Sequence, residues 1–161
     1  MTDDHGGGLT HVDAAGAARM VDVSAKDVGA RRAVASGKVL VSAEVVAALR
    51  GEGVPKGDAL AVARIAGIMG AKRTPDLIPL CHPIAVTGVK VDLEVVDDAV
   101  LIVATVKTTD RTGVEMEALT AVAVAGLAVI DMVKALDPAA VITDVQVETK
   151  DGGKTGHWER T

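Results

Sequence analysis

Asp131 and Lys134 are the residues most readily given a chemical task in this sequence. They stand three apart in a segment that reads as helix, so they share one face. They also interrupt a run that is otherwise apolar. The pair reads either as a paired buried charge or simple ion pair near a helix end, or as a lysine set up for proton transfer. In the second reading, partial burial and the neighbouring carboxylate tune the amine. Glu115 and Glu117 open the same helix. Thr112-Gly113-Val114-Glu115 has the pattern of a capping box, and Glu117 suits the positive end of the helix dipole. Being two apart, the two glutamates cannot both face one ligand from a regular helix.

Leu80-Cys81-His82-Pro83 is an irregular segment held between prolines. Neighbouring Cys and His rarely grip one metal, and the sequence offers no second ligand cluster. A catalytic Cys–His dyad needs adjacency in space rather than in sequence. Cys81 therefore reads as a small buried residue. His82 is the better candidate, as a donor to phosphate or as a proton carrier near neutral pH. Neither a metal nor a cofactor is expected.

Cations gather where regular structure breaks. Lys56 lies in the loop Gly53-Val54-Pro55-Lys56-Gly57, Lys72-Arg73 at a helix end, and Lys150 and Lys154 around Asp151-Gly152-Gly153. Lys107 and Arg111 flank the start of the long helix. Solvation accounts for any one surface lysine. Several on glycine-rich loops suit an anionic ligand, because glycine lets backbone N–H groups approach phosphates. No GxxxxGK[ST] or GxGxxG string is present, which excludes a P-loop and a dinucleotide fingerprint.

The elements that must position these residues follow from periodicity. Residues 20–24 and 33–41 carry the β-branched residues of strands, with a bend or bulge at Ser36-Gly37-Lys38. Ser42 caps a short helix ended by Gly51, and Asp58 caps a second helix running to about Lys72. Pro75, Pro79 and Pro83 break regular structure through 74–84. Residues 86–96 and 100–108 alternate as strands about a turn at Asp97-Asp98. The long helix runs to about Leu136, and 141–148 is a last strand. The order β-β-α-α-β-β-α-β favours an α+β sandwich, a mostly antiparallel sheet with helices on one face. From Ala118 to Ile130 the long helix is apolar on nearly every side, so it must be covered beyond its sheet side. The cover is either the second helix or a neighbouring subunit.

The chain's 161 residues make one domain, 9–161, behind a glycine-rich tail, 1–8, that reads as mobile. Its formal net charge of −5, with one Trp and no Phe or Tyr, argues against nucleic acid and anionic membrane as partners. A single cysteine excludes an intrachain disulfide framework. The start carries neither a signal region nor a transit sequence, so a cytoplasmic setting is expected.

Four strings taken together resemble the molybdenum cofactor biosynthesis protein C family. They are Met20-Val21-Asp22-Val23-Ser24, Ala63-Arg64-Ile65-Ala66-Gly67-Ile68, Asp76-Leu77-Ile78-Pro79-Leu80-Cys81-His82-Pro83 and Gly113-Val114-Glu115-Met116-Glu117-Ala118-Leu119-Thr120. The resemblance covers nearly the whole chain, from about Leu9 to His157. It implies a ferredoxin-like fold and a homohexamer built as a trimer of dimers, with active sites at subunit boundaries. It implies conversion of 3′,8-cyclo-7,8-dihydro-GTP to cyclic pyranopterin monophosphate with release of pyrophosphate. Carried over by residue, it makes Asp131, Lys134 and Lys56 catalytic. Leu80, Cys81, His82, Met116, Glu117, Lys150 and Arg31 would then bind substrate. Two other classes remain open at this point, another anion-binding pterin or nucleotide enzyme of the same sandwich type and a catalytically silent oligomeric scaffold.

Overall fold

The computed structural model describes residues 8–51 and 58–161, and within them the alternating segments pair into one sheet. In chain order the elements are β1 (Gly29–Leu40), α1 (Ala43–Arg50), α2 (Ala59–Lys72) and α3 (Thr74–Leu77). There follow β2 (Val86–Val95), β3 (Ala99–Asp110), α4 (Glu115–Val133), β4 (Val141–Asp151) and β5 (Trp158–Glu159). The strands lie in the order β2-β3-β1-β4-β5, and each pairing is antiparallel. Setting the short β5 aside, α2 and α4 cross between strands that are separated by an intervening one. This is the split β-α-β-β-α-β arrangement of ferredoxin-like folds. The expected α+β sandwich is what the chain forms.

Strand alternation decides which face the helices cover. Ala33, Ala35 and Val39 of β1 and Val100, Ile102, Ala104 and Val106 of β3 are buried against Ala118, Val122, Ala125 and Val129 of α4. These side chains are small, and the layers approach closely as a result. A Cβ on Gly67 of α2 would stand 2.9 Å from the carbonyl oxygen of Ala121 on α4. So α2 covers the second side of α4, which accounts for most of that helix's missing polar face. Leu127 on its outer side stays 59% exposed.

Several local expectations hold. Ser42 accepts from Val45 N–H and Asp58 from Ala61 N–H, and the two helices they cap span the expected residues. The bulge near Ser36-Gly37-Lys38 appears in the β1–β4 ladder, whose register slips between Ser36 and Lys38. Asp144, opposite this slip, takes the left-handed φ of 56° that an Asp tolerates at a bulge.

Others are corrected. Residues 20–24 form no strand. The Asp22 carboxylate accepts from the Ser24 N–H at 2.9 Å, and this local bond competes with a ladder. The proline-rich stretch contains one helical turn, α3, because Pro75 sits at its start, where a missing N–H is harmless. No capping box forms at Thr112. The N-cap of α4 is Val114, without a side-chain cap bond, and Glu115 pairs instead with Lys150. β4 runs on to Asp151, and β5 joins it through two residues, too few to leave a periodic signal. The tail expected at 1–8 lies, apart from Gly8, outside the described residues.

Candidate active site

The first turn of α4 carries two carboxylates into different surroundings, as their spacing requires. Glu115 is half-buried, and its Oε1 lies 3.0 Å from Lys150 Nζ. Lys150 stands opposite Ala33 in the β1–β4 register, which puts both on the helix-covered side of the sheet. Glu117 turns inward and is 3% exposed. Its carboxyl is pushed up to about 7, chiefly by burial, with the Glu115 charge adding to the shift and a backbone N–H opposing it. A group with that proton affinity exchanges a proton readily near neutral pH.

Cys81 and His82 stand near this end of α4, held by the proline-bounded segment. The Cys81 N–H donates to the Ile78 carbonyl at 3.1 Å, and the Thr108 hydroxyl donates to the Ala85 carbonyl at 2.5 Å. Burial raises the Cys81 thiol, and the Glu117 charge raises it further, so thiolate is scarce at neutral pH. His82 Nε2 donates to the Val21 carbonyl at 2.5 Å. A carbonyl can only accept, so Nε2 holds a proton and Nδ1 is the atom left for a ligand. Leu80 is half-buried and Met116 is exposed.

Arg31 reaches the same region from β1. Its guanidinium lies against Gly152 and Gly153, which take φ of 95° and 78°, and a Cβ on Gly153 would stand 2.2 Å from Nη1. The Arg31 Nε is buried without a hydrogen-bond partner among the described residues. Beside His82 opens a recess of about 430 Å³ lined by residues 20–24, Pro83, Ile84, Asp110, Arg111 and Thr112. Of these lining residues only Arg111 was among the cations that the sequence offered to an anionic ligand. The available signal was Asp22 two residues before Ser24, an Asx-turn spacing that marks a shaped loop rather than a strand.

Asp131 and Lys134 lie elsewhere. Lys134 Nζ donates to Asp131 Oδ1 at 2.8 Å, and the two side chains are 58% and 56% exposed. Within one copy of the chain the pair is thus exposed, although Met132 and Val133 beside it are buried. Glu117 and Asp131 are about four turns apart, roughly 21 Å along the axis at about 1.5 Å per residue. One copy of the chain thus gathers Arg31, Cys81, His82, Glu117 and Lys150 at one end of α4. It holds Asp131 and Lys134 at the other. Lys56 lies outside the described residues. Among the described residues no group of three or more His, Cys, Asp or Glu could hold a metal ion.

The profile of the MoaC family matches residues 20–153, which include both clusters. A protein of Streptomyces avermitilis named cyclic pyranopterin monophosphate synthase is 78% identical over 153 residues, 95% of this chain and 90% of that protein. One of the same name from Nocardioides sp. is 74% identical over 155 residues, 94% of this chain and 95% of its own. Cyclic pyranopterin monophosphate synthase 2 of Mycobacterium bovis is 57% identical over 159 residues, 99% of this chain and 95% of that protein.

Proposed function

The chain belongs to the MoaC family, and from that membership we infer that it is a cyclic pyranopterin monophosphate synthase, a lyase of molybdenum cofactor biosynthesis. On this reading the substrate is 3′,8-cyclo-7,8-dihydro-GTP, and ring rearrangement is followed by attack of a ribose hydroxyl on the α-phosphorus. The P–O bond to the β-phosphate breaks and pyrophosphate leaves. The cations Lys150 and Arg31, with Lys56, offset the triphosphate and the charge that develops on the leaving group. His82 offers Nδ1 to the same region. Glu117, with its proton affinity near neutrality, and Lys134, oriented by Asp131, exchange protons with pterin nitrogens and sugar oxygens.

The separation of the two clusters carries the rest of the proposal. A general acid or base must stand within hydrogen-bond reach of its proton, and roughly 21 Å exceeds that reach many times over. A complete site therefore takes the Asp131–Lys134 end of α4 from one subunit and the Glu117–His82 end from another. A two-fold axis supplies such a site twice per dimer. Three such dimers make the homohexamer, and the setting is the cytoplasm. The test is direct. The purified protein should release pyrophosphate from the cyclic GTP derivative and form the cyclic monophosphate, and a folded preparation that releases none overturns the proposal.

A further inference from the structure

We propose that Arg111 is a positioning residue which, together with His82, pins residues 20–26 as a wall of the substrate recess. This segment precedes β1 and has no strand pairing of its own. Two side chains tie it to firmer parts of the fold. His82 Nε2–H donates to the Val21 carbonyl at 2.5 Å, from the proline-bounded segment. Arg111 Nε–H donates to the Lys26 carbonyl at 3.1 Å, from the junction of β3 and α4. The Arg111 backbone N–H donates to Asp110 Oδ1 at 2.7 Å, at the end of β3. Between the ties the segment is folded by its own bonds, Ser24 N–H to Asp22 Oδ1 at 2.9 Å and Lys26 N–H to the Val23 carbonyl at 3.0 Å. Residues 20–24 line the recess, so the placement of the ties sets its shape. It also sets where the recess presents the Asp22 carboxylate, which the Ser24 N–H and hydroxyl hold below the usual carboxylate range.

The catalytic relevance rests on the proposed function, because it assumes that substrate occupies this recess. A displaced wall weakens binding of ground and transition states alike, which raises KM and leaves kcat nearly unchanged. The rival role for Arg111 is a plain cation facing the triphosphate. Two substitutions separate these roles. Gln places an N–H donor at the same bond position as Arg Nε and carries no charge. Lys keeps the charge but places a methylene at that position.

The experiment measures hydrogen exchange at the Ser24 and Lys26 amides of the full chain without substrate, and then KM and kcat. Arg111→Met should exchange roughly three- to tenfold faster at these amides, the size of one net hydrogen bond, with β1 amides unchanged. Its KM should rise by a similar factor. Arg111→Gln should retain wild-type exchange and KM, and Arg111→Lys should behave like Arg111→Met. Unchanged exchange in Arg111→Met overturns the pin. So does a low KM retained by Lys and lost by Gln, which would assign Arg111 to substrate charge. If the wild-type protein released no pyrophosphate, the functional reading would fail while the exchange rates still decided the pin.

Discussion

Lys134 carries its charge where the fold has little use for it. The side chain is more than half exposed, and exposed ion pairs contribute little to stability. Lys134→Ala should therefore leave the fold and assembly intact while pyrophosphate release falls by ~10²–10⁴-fold, the contribution of one positioned acid or base. A variant that keeps its thermal midpoint and more than about a tenth of the rate would move proton transfer to another group. Glu117 makes the opposite bargain with the fold, being buried at a cost that depends on pH. Its carboxyl titrates at about 7 in the folded chain against an ordinary 4.5. The folded state thus binds the proton more tightly, so the stabilisation is full below pH 4.5 and is lost as pH rises to about 7. Relative to Glu117→Gln, the wild-type urea midpoint should decline across that window and stay parallel above it. A pH-independent difference would show that burial does not raise the carboxyl. The sequence made Asp131 and Lys134 visible because they break an apolar run. It also showed that Glu115 and Glu117 must part, but not which turns inward. The recess wall was legible only as a shaped loop at Asp22–Ser24, since its place depends on a bond between His82 and Val21, 61 residues apart.

At the scale of elements, what was legible had a local cause. Ser42 and Asp58 announce α1 and α2 because a cap is a bond within three residues of itself. β2 and β3 alternate about the tight turn at Asp97-Asp98, closed by Val96 N–H to the Ala99 carbonyl at 2.9 Å. Residues 20–24 carry the same β-branched signature, yet the Asp22 side chain takes a backbone N–H that a ladder would need. The start of α4 was misread for a different reason. Glu115 has a long-range partner in Lys150, brought to it by the β1–β4 register, and that pairing replaces the expected local cap. The sequence offered α2 as one of two covers for α4 but not how closely the two meet, because Gly67 on a helix reads as a weak point until its neighbour is known. Gly67→Val should cost about 1–3 kcal/mol by urea unfolding, as the added carbons must displace the α4 backbone at Ala121. Gly88→Ala is the control. A Cβ there meets nothing within 4 Å, so the change should stay within about 0.5 kcal/mol of neutral. Equal losses at both positions would mean that backbone freedom, and not helix contact, sets the cost.

For the whole molecule, the length of α4 turns a question of chemistry into one of assembly. The helix is buried between sheet and α2 along its middle and carries the candidate side chains at both ends, so it acts as a spacer that no local motion can shorten. If each site joins the Lys134 end of one subunit to the His82 end of another, two dead variants can repair each other. Lys134→Ala and His82→Ala should each be inactive alone. Mixed in equal amounts, dissociated and reassembled, they form random pairs, of which half are heterodimers. Each heterodimer holds one site with both defects and one with neither. The mixture should thus recover about a quarter of wild-type activity if pairs exchange at random and the sites act independently. The recovery should appear only after subunits have exchanged, and it should track the heterodimer fraction read by native mass spectrometry. A site built within a single chain predicts no recovery at any ratio, because every chain then carries one lesion in its own site. Mixed assemblies that form fully and remain inactive would therefore return both clusters to one subunit, and would require a movement of α4 that the packing of its Ala121 against Gly67 of α2 opposes.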